Sequence, residues 1–223
     1  MLLALVIVVG IAIGFGLNPW ITQIATDPKA ANPLPTPRHP LLGGPTWVGL
    51  LVAAMSGLMA WICYRDYGLS LRGIYWYAMS LVFIVIGAVD WKVRLIDVLL
   101  VLIATIVALI GSAFLTISFK ASLIGALIAG LLFLLFFAGS ILLYPDADAP
   151  FGLGDVYLAF LIGAAVGWGY LGTVLMYGMG LAGLASLGIL VVRQIRGEGT
   201  LYIAYGTYLC LGVLLYMIKF GPL

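Results

Sequence analysis

Apolar stretches of about 20 residues, the length of a membrane-crossing helix, recur along the whole sequence between short polar segments. Such a helix crosses roughly 30 Å of hydrocarbon. The pattern predicts eight spans, at about 2–24, 46–64, 72–90, 95–115, 121–143, 154–169, 171–193 and 200–219. We therefore expect an all-α, polytopic membrane helix bundle that forms a single domain over residues 1–223.

The boundary between the sixth and seventh predicted spans is the least distinct. Gly167-Trp168-Gly169-Tyr170 interrupts an apolar run that is too long for one crossing. A glycine turn flanked by interfacial aromatic residues would divide this run into two short spans. If the run does not divide there, the chain has seven spans.

Glycines recur at a spacing of four within the predicted spans, as in Gly10 with Gly14 and Gly163 with Gly167. Small residues at this spacing let helix backbones approach each other closely in a bilayer. We expect close helix–helix contacts at both pairs.

The longest polar segment, residues 25–45, contains six of the ten prolines. Proline at this density prevents a continuous helix, so the segment is predicted to be a loop outside the bilayer. With eight spans, the loops on its side hold Lys29, Arg38, Lys92, Arg94, Arg193 and Arg196, and the opposite loops hold Arg65, Arg72, Lys120 and Lys219. The excess of basic residues favours the first side as the cytoplasmic face of a cell membrane.

The composition indicates a lipid environment, because 65% of residues are hydrophobic, 8% are charged and the mean hydropathy is +1.24. The net charge of +2 comes from scattered Lys and Arg residues, without the basic cluster of a nucleic-acid-binding protein. We therefore exclude nucleic acid as a partner. Cys63 and Cys210 lie far apart within apolar stretches, which favours buried thiols over a disulfide or a metal site.

The chain has eight acidic residues, and an ionisable group at membrane depth costs several kcal/mol and is a functional candidate. Five are interpreted as solvated loop acids: Asp27, Asp66, Asp146, Asp148 and Glu198. Asp90 ends an apolar run and is followed at once by Trp91-Lys92. Asp155 opens the apolar run 156–166, where the dipole of the following helix favours an anion.

The predicted topology places Asp90 at the end of the third span and Asp155 at the start of the sixth, on the same membrane face. Two carboxylates about 3 Å apart in a medium of low dielectric cannot both be charged, so they share a proton. One can then take a proton from water while the other polarises a peptide carbonyl. Gly152 and Gly154 would let the chain turn and a substrate backbone approach. This chemistry requires no metal and no cofactor.

Asp97 is an alternative to Asp90 as the partner of Asp155. It would take this place if the predicted register of the helices is wrong by two helical turns. Its place just beyond Lys92 and Arg94 favours an ion pair instead.

Four segments in order resemble those of the type IV prepilin peptidases. Gly152-Leu153-Gly154-Asp155 is similar to their GxGD segment, and 163–168 is similar to the small-residue stretch that follows it. Asp90, with Arg94 four residues later and Ile96 six residues later, resembles the first aspartate motif of the short archaeal and Tad-type members. The segment 203–212 resembles IPFGPFLxxG, and 14–18 resembles GSFLN.

The resemblance implies an intramembrane aspartyl endopeptidase with Asp90 and Asp155 as its catalytic pair, supported by Gly152, Gly154 and Arg94. Its substrate would be a pilin, pseudopilin or archaellin precursor, cut at the cytoplasmic membrane face between a short basic leader and a hydrophobic helix. Asp146 and Asp148, in the loop before the second aspartate, would attract the basic leader.

The chain departs from the family pattern in three places. The loop 25–45 lacks the paired CxxC zinc ligands of many bacterial members and contains only His39, so no zinc is predicted. The family's second activity, N-methylation from S-adenosylmethionine, is in doubt for the same reason. Tyr157 stands where a lysine is common, and Asp97 stands where a proline is common, so substrate preference is expected to differ.

Three other functions are compatible with the sequence. A presenilin or signal-peptide-peptidase type of GxGD protease would share the acid pair, but the chain lacks a tyrosine before its first aspartate. A transporter could use the pair as a proton or cation site, although no discontinuous repeat supports this. A non-catalytic assembly partner would tolerate replacement of either aspartate.

Overall fold

The computed structural model describes residues 2–26, 44–143, 152–196 and 203–223. These residues form seven α-helices: α1 Leu2–Thr26, α2 Gly44–Tyr67, α3 Leu71–Val93, α4 Val98–Phe114, α5 Phe119–Leu143, α6 Leu153–Arg196 and α7 Tyr205–Phe220. The predicted loop 25–45 falls outside the described residues, apart from its ends in α1 and α2.

Five of the described helices are long and apolar enough to cross a membrane: Leu2–Ile21, Trp47–Tyr67, Leu71–Val93, Phe119–Leu143 and Leu153–Val192. Helices α4 and α7 are apolar but shorter, at 17 and 16 residues. The chain is therefore an all-α membrane protein, as predicted.

Eight separate spans are not shown by the described residues, because the sixth and seventh predicted spans both lie in α6, as the seven-span alternative allows. The expected break is present as a kink at Gly167, whose φ of 68° and ψ of 170° are not helical. Glycine adopts such a positive φ without a steric penalty. Helical geometry resumes after this residue, so α6 consists of two helices that meet at a kink at Gly167.

The chain divides into two compact units. Unit 1 comprises residues 1–95 and 175–222, which include α1 to α3, the second part of α6 and α7. Unit 2 comprises mainly residues 96–174, which include α4, α5 and the first part of α6. The two candidate aspartates are divided between the units, with Asp90 in unit 1 and Asp155 in unit 2.

In unit 1, α1 packs against α2 through the predicted glycine pair. A Cβ atom added at Gly10 would lie 2.6 Å from Ala60 Cβ, and one added at Gly14 would lie 2.6 Å from Ala53 Cα. Ser56 of α2 donates a hydrogen bond of 2.7 Å to the Gly10 carbonyl oxygen. The close contact expected at this pair is confirmed.

In unit 2, α5 and the first part of α6 also approach at backbone distance. A Cβ atom added at Gly125 would lie 2.5 Å from the carbonyl oxygen of Gly163. Ser122 donates a hydrogen bond to the Ala164 carbonyl oxygen at the same contact. The expected close packing at Gly163 is therefore confirmed, with Gly125 as its partner.

Candidate functional site

Asp90 lies in the last turn of α3 and is only 4% exposed. Its Oδ2 atom accepts two hydrogen bonds from Thr207, one of 2.7 Å from the backbone N–H and one of 2.9 Å from Oγ1. Thr207 is in the first turn of α7, where backbone N–H groups have no acceptor within the helix. The cap residue Ala204 supplies no side-chain acceptor, so Asp90 caps α7 from a neighbouring helix.

The Thr207 hydroxyl has two acceptors within reach but only one proton. Its Oγ1 atom lies 2.9 Å from the Gly87 carbonyl oxygen and 2.9 Å from Asp90 Oδ2. When Asp90 is ionised, the hydroxyl can donate to the carboxylate. When Asp90 is protonated, the acid can donate to Oγ1 while the hydroxyl donates to Gly87. The arrangement therefore accommodates both protonation states of Asp90 without moving either side chain.

Arg94 directly follows α3 and adopts a left-handed conformation, with φ 54° and ψ 36°. Such a conformation costs a non-glycine residue on the order of 1–2 kcal/mol. The Arg94 N–H donates to the Asp90 carbonyl oxygen at 2.8 Å, and the Arg94 charge attracts the Asp90 carboxylate. Arg94 thus lies close to Asp90 and ends the helix that carries it.

Asp155 lies in the first turn of α6 and is half-buried. Its N–H donates to the Gly152 carbonyl oxygen at 3.1 Å. A Cβ atom added at Gly152 would lie 3.6 Å from Asp155 Oδ2, so this glycine lies against the carboxylate. A Cβ atom added at Gly154 would lie 3.0 Å from Ile96 Cβ, which leaves little room for a larger residue.

Gly152 and Gly154 have negative or extended φ values, since the positive-φ glycines among the described residues are Gly68, Gly167 and Gly221. A turn conformation therefore does not explain the two glycines before Asp155. Close packing does explain Gly154, because Ile96 occupies the space beside it. The pairing of Asp90 with Asp155 stays a prediction.

Asp97 has a structural role as the N-cap of α4. Its Oδ1 atom accepts hydrogen bonds of 2.9 Å from the Leu99 N–H and 3.1 Å from the Leu100 N–H. These bonds satisfy two of the first backbone donors of α4. Helix capping, and not the expected ion pair, therefore accounts for an acid at this position. The alternative pairing of Asp97 with Asp155 stays a prediction.

The other predicted features divide into described and undescribed residues. Asp66, interpreted as a loop acid, lies in the last turn of α2 and forms an ion pair of 2.6 Å with Arg65. The two cysteines are buried, as predicted. Within the described ranges, no three His, Cys, Asp or Glu residues are grouped so as to hold a metal ion. Asp146 and Asp148, together with Asp27, Glu198 and His39, lie outside the described residues.

Thr207 is the residue that sequence reasoning missed. It lies in the segment that resembles IPFGPFLxxG, at the position of the second proline. A proline has no N–H to donate, so the backbone bond to Asp90 is a property of this chain and not of the quoted pattern. A hydroxyl residue in the first turn of an apolar helix was the available signal.

The fold and this site define a helical membrane protein with a buried carboxylate held between α3 and α7, and a second acid at the start of α6. Comparison with protein-family models, with curated proteins and with solved structures gave no match to this chain.

Proposed function

We propose that this protein is an aspartyl endopeptidase of the prepilin peptidase kind, in which Asp90 and Asp155 activate a water molecule. The observation that carries the proposal is the environment of Asp90. A carboxyl group buried within an apolar membrane bundle is costly, and here two hydrogen bonds from one residue hold it in place. The Thr207 hydroxyl suits the ionised and the protonated carboxyl group equally, as an acid–base catalyst requires.

In the proposed reaction, one carboxylate removes a proton from water, and the water oxygen attacks the scissile carbonyl carbon. The other carboxyl group is protonated and donates a hydrogen bond to the carbonyl oxygen. As the tetrahedral intermediate collapses, the proton gained by the base passes to the leaving amine and the C–N bond breaks. The products are a leader with a new carboxylate and a mature protein with a new amino terminus.

Three features support a leader-peptide substrate. The four segments that resemble prepilin peptidases occur in the family order. With eight spans, in which Gly167 separates two crossings, more Lys and Arg lie on the side on which Asp90 and Asp155 are predicted to lie, which favours the cytoplasmic face for that side. Gly152 leaves space for a substrate backbone beside Asp155, because even an added Cβ atom would lie 3.6 Å from the carboxylate. The reaction needs no metal or cofactor; S-adenosylmethionine would be required only for a retained N-methylation activity.

The test is cleavage of a purified precursor with a short basic leader and a following apolar helix, by the protein reconstituted in lipid vesicles. We expect the wild type to cut at one bond, identified by mass spectrometry, and Asp90→Asn and Asp155→Asn to be inactive. Asp66→Asn is the control, because this acid pairs with Arg65 and has no part in the reaction.

The same vesicles separate a protease from a transporter. Cleavage should continue when an ionophore dissipates the proton gradient, because hydrolysis needs no gradient. Proton or cation flux that depends on Asp90, without cleavage, would replace this proposal with the transporter. Cleavage in the middle of a transmembrane helix would favour the presenilin type of protease.

A further inference from the structure

Unit 1 contains an apolar cavity of about 310 Å³ between α2, α3 and α7. This volume is at the small end of the range that is typical of ligand sites. Its walls include Trp47 and Leu51 of α2, Phe83 and Gly87 of α3, and Thr207 and Leu211 of α7. Thr207 is the one hydroxyl-bearing residue of a lining that is almost entirely apolar.

The cavity and the candidate catalytic carboxylate share one wall. Phe83, Gly87 and Asp90 are separated by four and three residues, so they lie in one row along α3. Phe83 and Gly87 line the cavity, and Asp90 is the next residue in that row. From the opposite side, Thr207 lines the cavity, and its backbone N–H and its hydroxyl group both lie within hydrogen-bond distance of Asp90 Oδ2.

The cavity runs inward from the helix ends near Asp90. Its lining on α3 extends from Trp91 back to Phe83, which is about 12 Å along the helix. Two turns of a whole helix, taken as a cylinder about 10 Å wide, would fill roughly 850 Å³. The cavity is therefore too small to enclose a helix, but it has room for side chains that project from one.

We infer that this cavity binds large apolar side chains of the polypeptide that is cut, next to the scissile bond. The inference rests on the proposed function. A peptide bond brought to Asp90 carries its neighbouring side chains to the cavity, because Thr207 belongs to both places. Trp47 and Leu51 at the rim are each 60% exposed, so the cavity is open to such a chain. A lipid tail has no group on which Asp90 could act.

Filling the cavity tests this inference with matched controls. Leu51→Trp adds bulk to the lining, whereas Leu50→Trp adds the same bulk to a neighbouring position, 47% exposed, outside the lining. On α7, Leu211→Trp and Leu215→Trp form a second pair, since Leu211 lines the cavity and Leu215 does not. All four variants replace leucine with tryptophan, which is also apolar. A difference between the two members of a pair therefore cannot come from a change in how well the helix fits the membrane.

The probe is a synthetic precursor peptide with a basic leader, an apolar segment and a benzophenone side chain at successive positions beside the cut. It is photocross-linked to the inactive Asp90→Asn protein, and the sites are mapped by mass spectrometry. We expect cross-links to Leu211 and other cavity residues. Leu51→Trp should reduce them at least tenfold, and Leu50→Trp should change them less than twofold. In the active protein, Leu51→Trp should raise KM at least fivefold.

Each outcome decides between the claims. Cross-links outside the cavity, absent cross-links, or equal cross-linking in Leu51→Trp and Leu50→Trp would overturn the inference. A phospholipid retained by Leu50→Trp but lost from Leu51→Trp, without peptide cross-links, would assign the cavity to lipid. If the peptide cross-links to the cavity but the active protein does not cleave it, the binding site is supported and the protease proposal is refuted. If the active protein cleaves the peptide but no cross-links form in the cavity, only the binding site is refuted.

Discussion

Replacing Thr207 with valine removes the hydroxyl that holds Asp90 and changes little else. Valine keeps the branched shape of threonine and the backbone N–H, so the 2.7 Å bond to Asp90 Oδ2 is retained. The 2.9 Å bonds from Oγ1 to Asp90 and to the Gly87 carbonyl are lost. Thr207→Ser is the matched control, because serine keeps both donors.

A hydrogen bond to a charged group contributes about 1.5–3 kcal/mol. The lower end applies here, because the hydroxyl proton is shared with Gly87 and the backbone bond remains. About 1.5 kcal/mol corresponds to roughly a tenfold change in rate. We therefore expect Thr207→Val to lower kcat about tenfold and to change KM less than about twofold, since the bond acts on the reacting acid and not on the substrate.

The assay is steady-state cleavage of the leader-bearing precursor in detergent, together with thermal unfolding of each variant. We expect Thr207→Ser to keep kcat within about threefold of the wild type, since its hydroxyl restores the bond. A lowered Tm alone, with kcat unchanged, would mean that Thr207 only stabilises the fold. Wild-type kcat in Thr207→Val would refute the role assigned to its hydroxyl.

Three further variants test individual contacts. Gly14→Ala should lower the free energy of unfolding, measured by thermal unfolding, by about 1–3 kcal/mol, because its Cβ atom would meet a backbone atom. Gly16→Ala is the control and should be nearly neutral, because the space around Gly16 is open. Asp97→Ala should cost about 1 kcal/mol as a lost helix cap without loss of cleavage; an inactive, folded protein would instead implicate Asp97 in catalysis. Gly154→Ala should reduce kcat more than Gly152→Ala, because an added Cβ is tight only at the first site, and equal rates would contradict that packing argument.

The helices were predictable because the length and apolarity of each stretch are local properties of the sequence. The kink at Gly167 was also predictable, because two glycines and two aromatic residues interrupt one apolar run. Its extent was not, since a single non-helical residue separates the two helices of α6, whereas a turn over four residues was predicted. A sequence pattern locates such an interruption but does not show whether the helix ends there.

Glycine spacing correctly identified the contact surfaces of Gly10, Gly14 and Gly163 but not all of their partners. Gly125 was not selected, because its role depends on the α5–α6 register, which is a long-range property. Thr207 was missed for the same reason: 117 residues separate it from Asp90, and its neighbours in sequence carry no acid. The sequence alone identified Asp90 as a candidate but not Thr207, which donates hydrogen bonds to it.

The rates of precursor cleavage by Asp90→Asn, Asp155→Asn and the double variant test the central claim most directly. If the two carboxylates act as one unit, removing the second adds no further loss once the first is gone. We predict that each single variant loses at least about a thousandfold in rate and that the double variant is no slower than either. A folded single variant that cuts at the wild-type rate, or a double variant whose loss is the product of the two single losses, would contradict a catalytic pair.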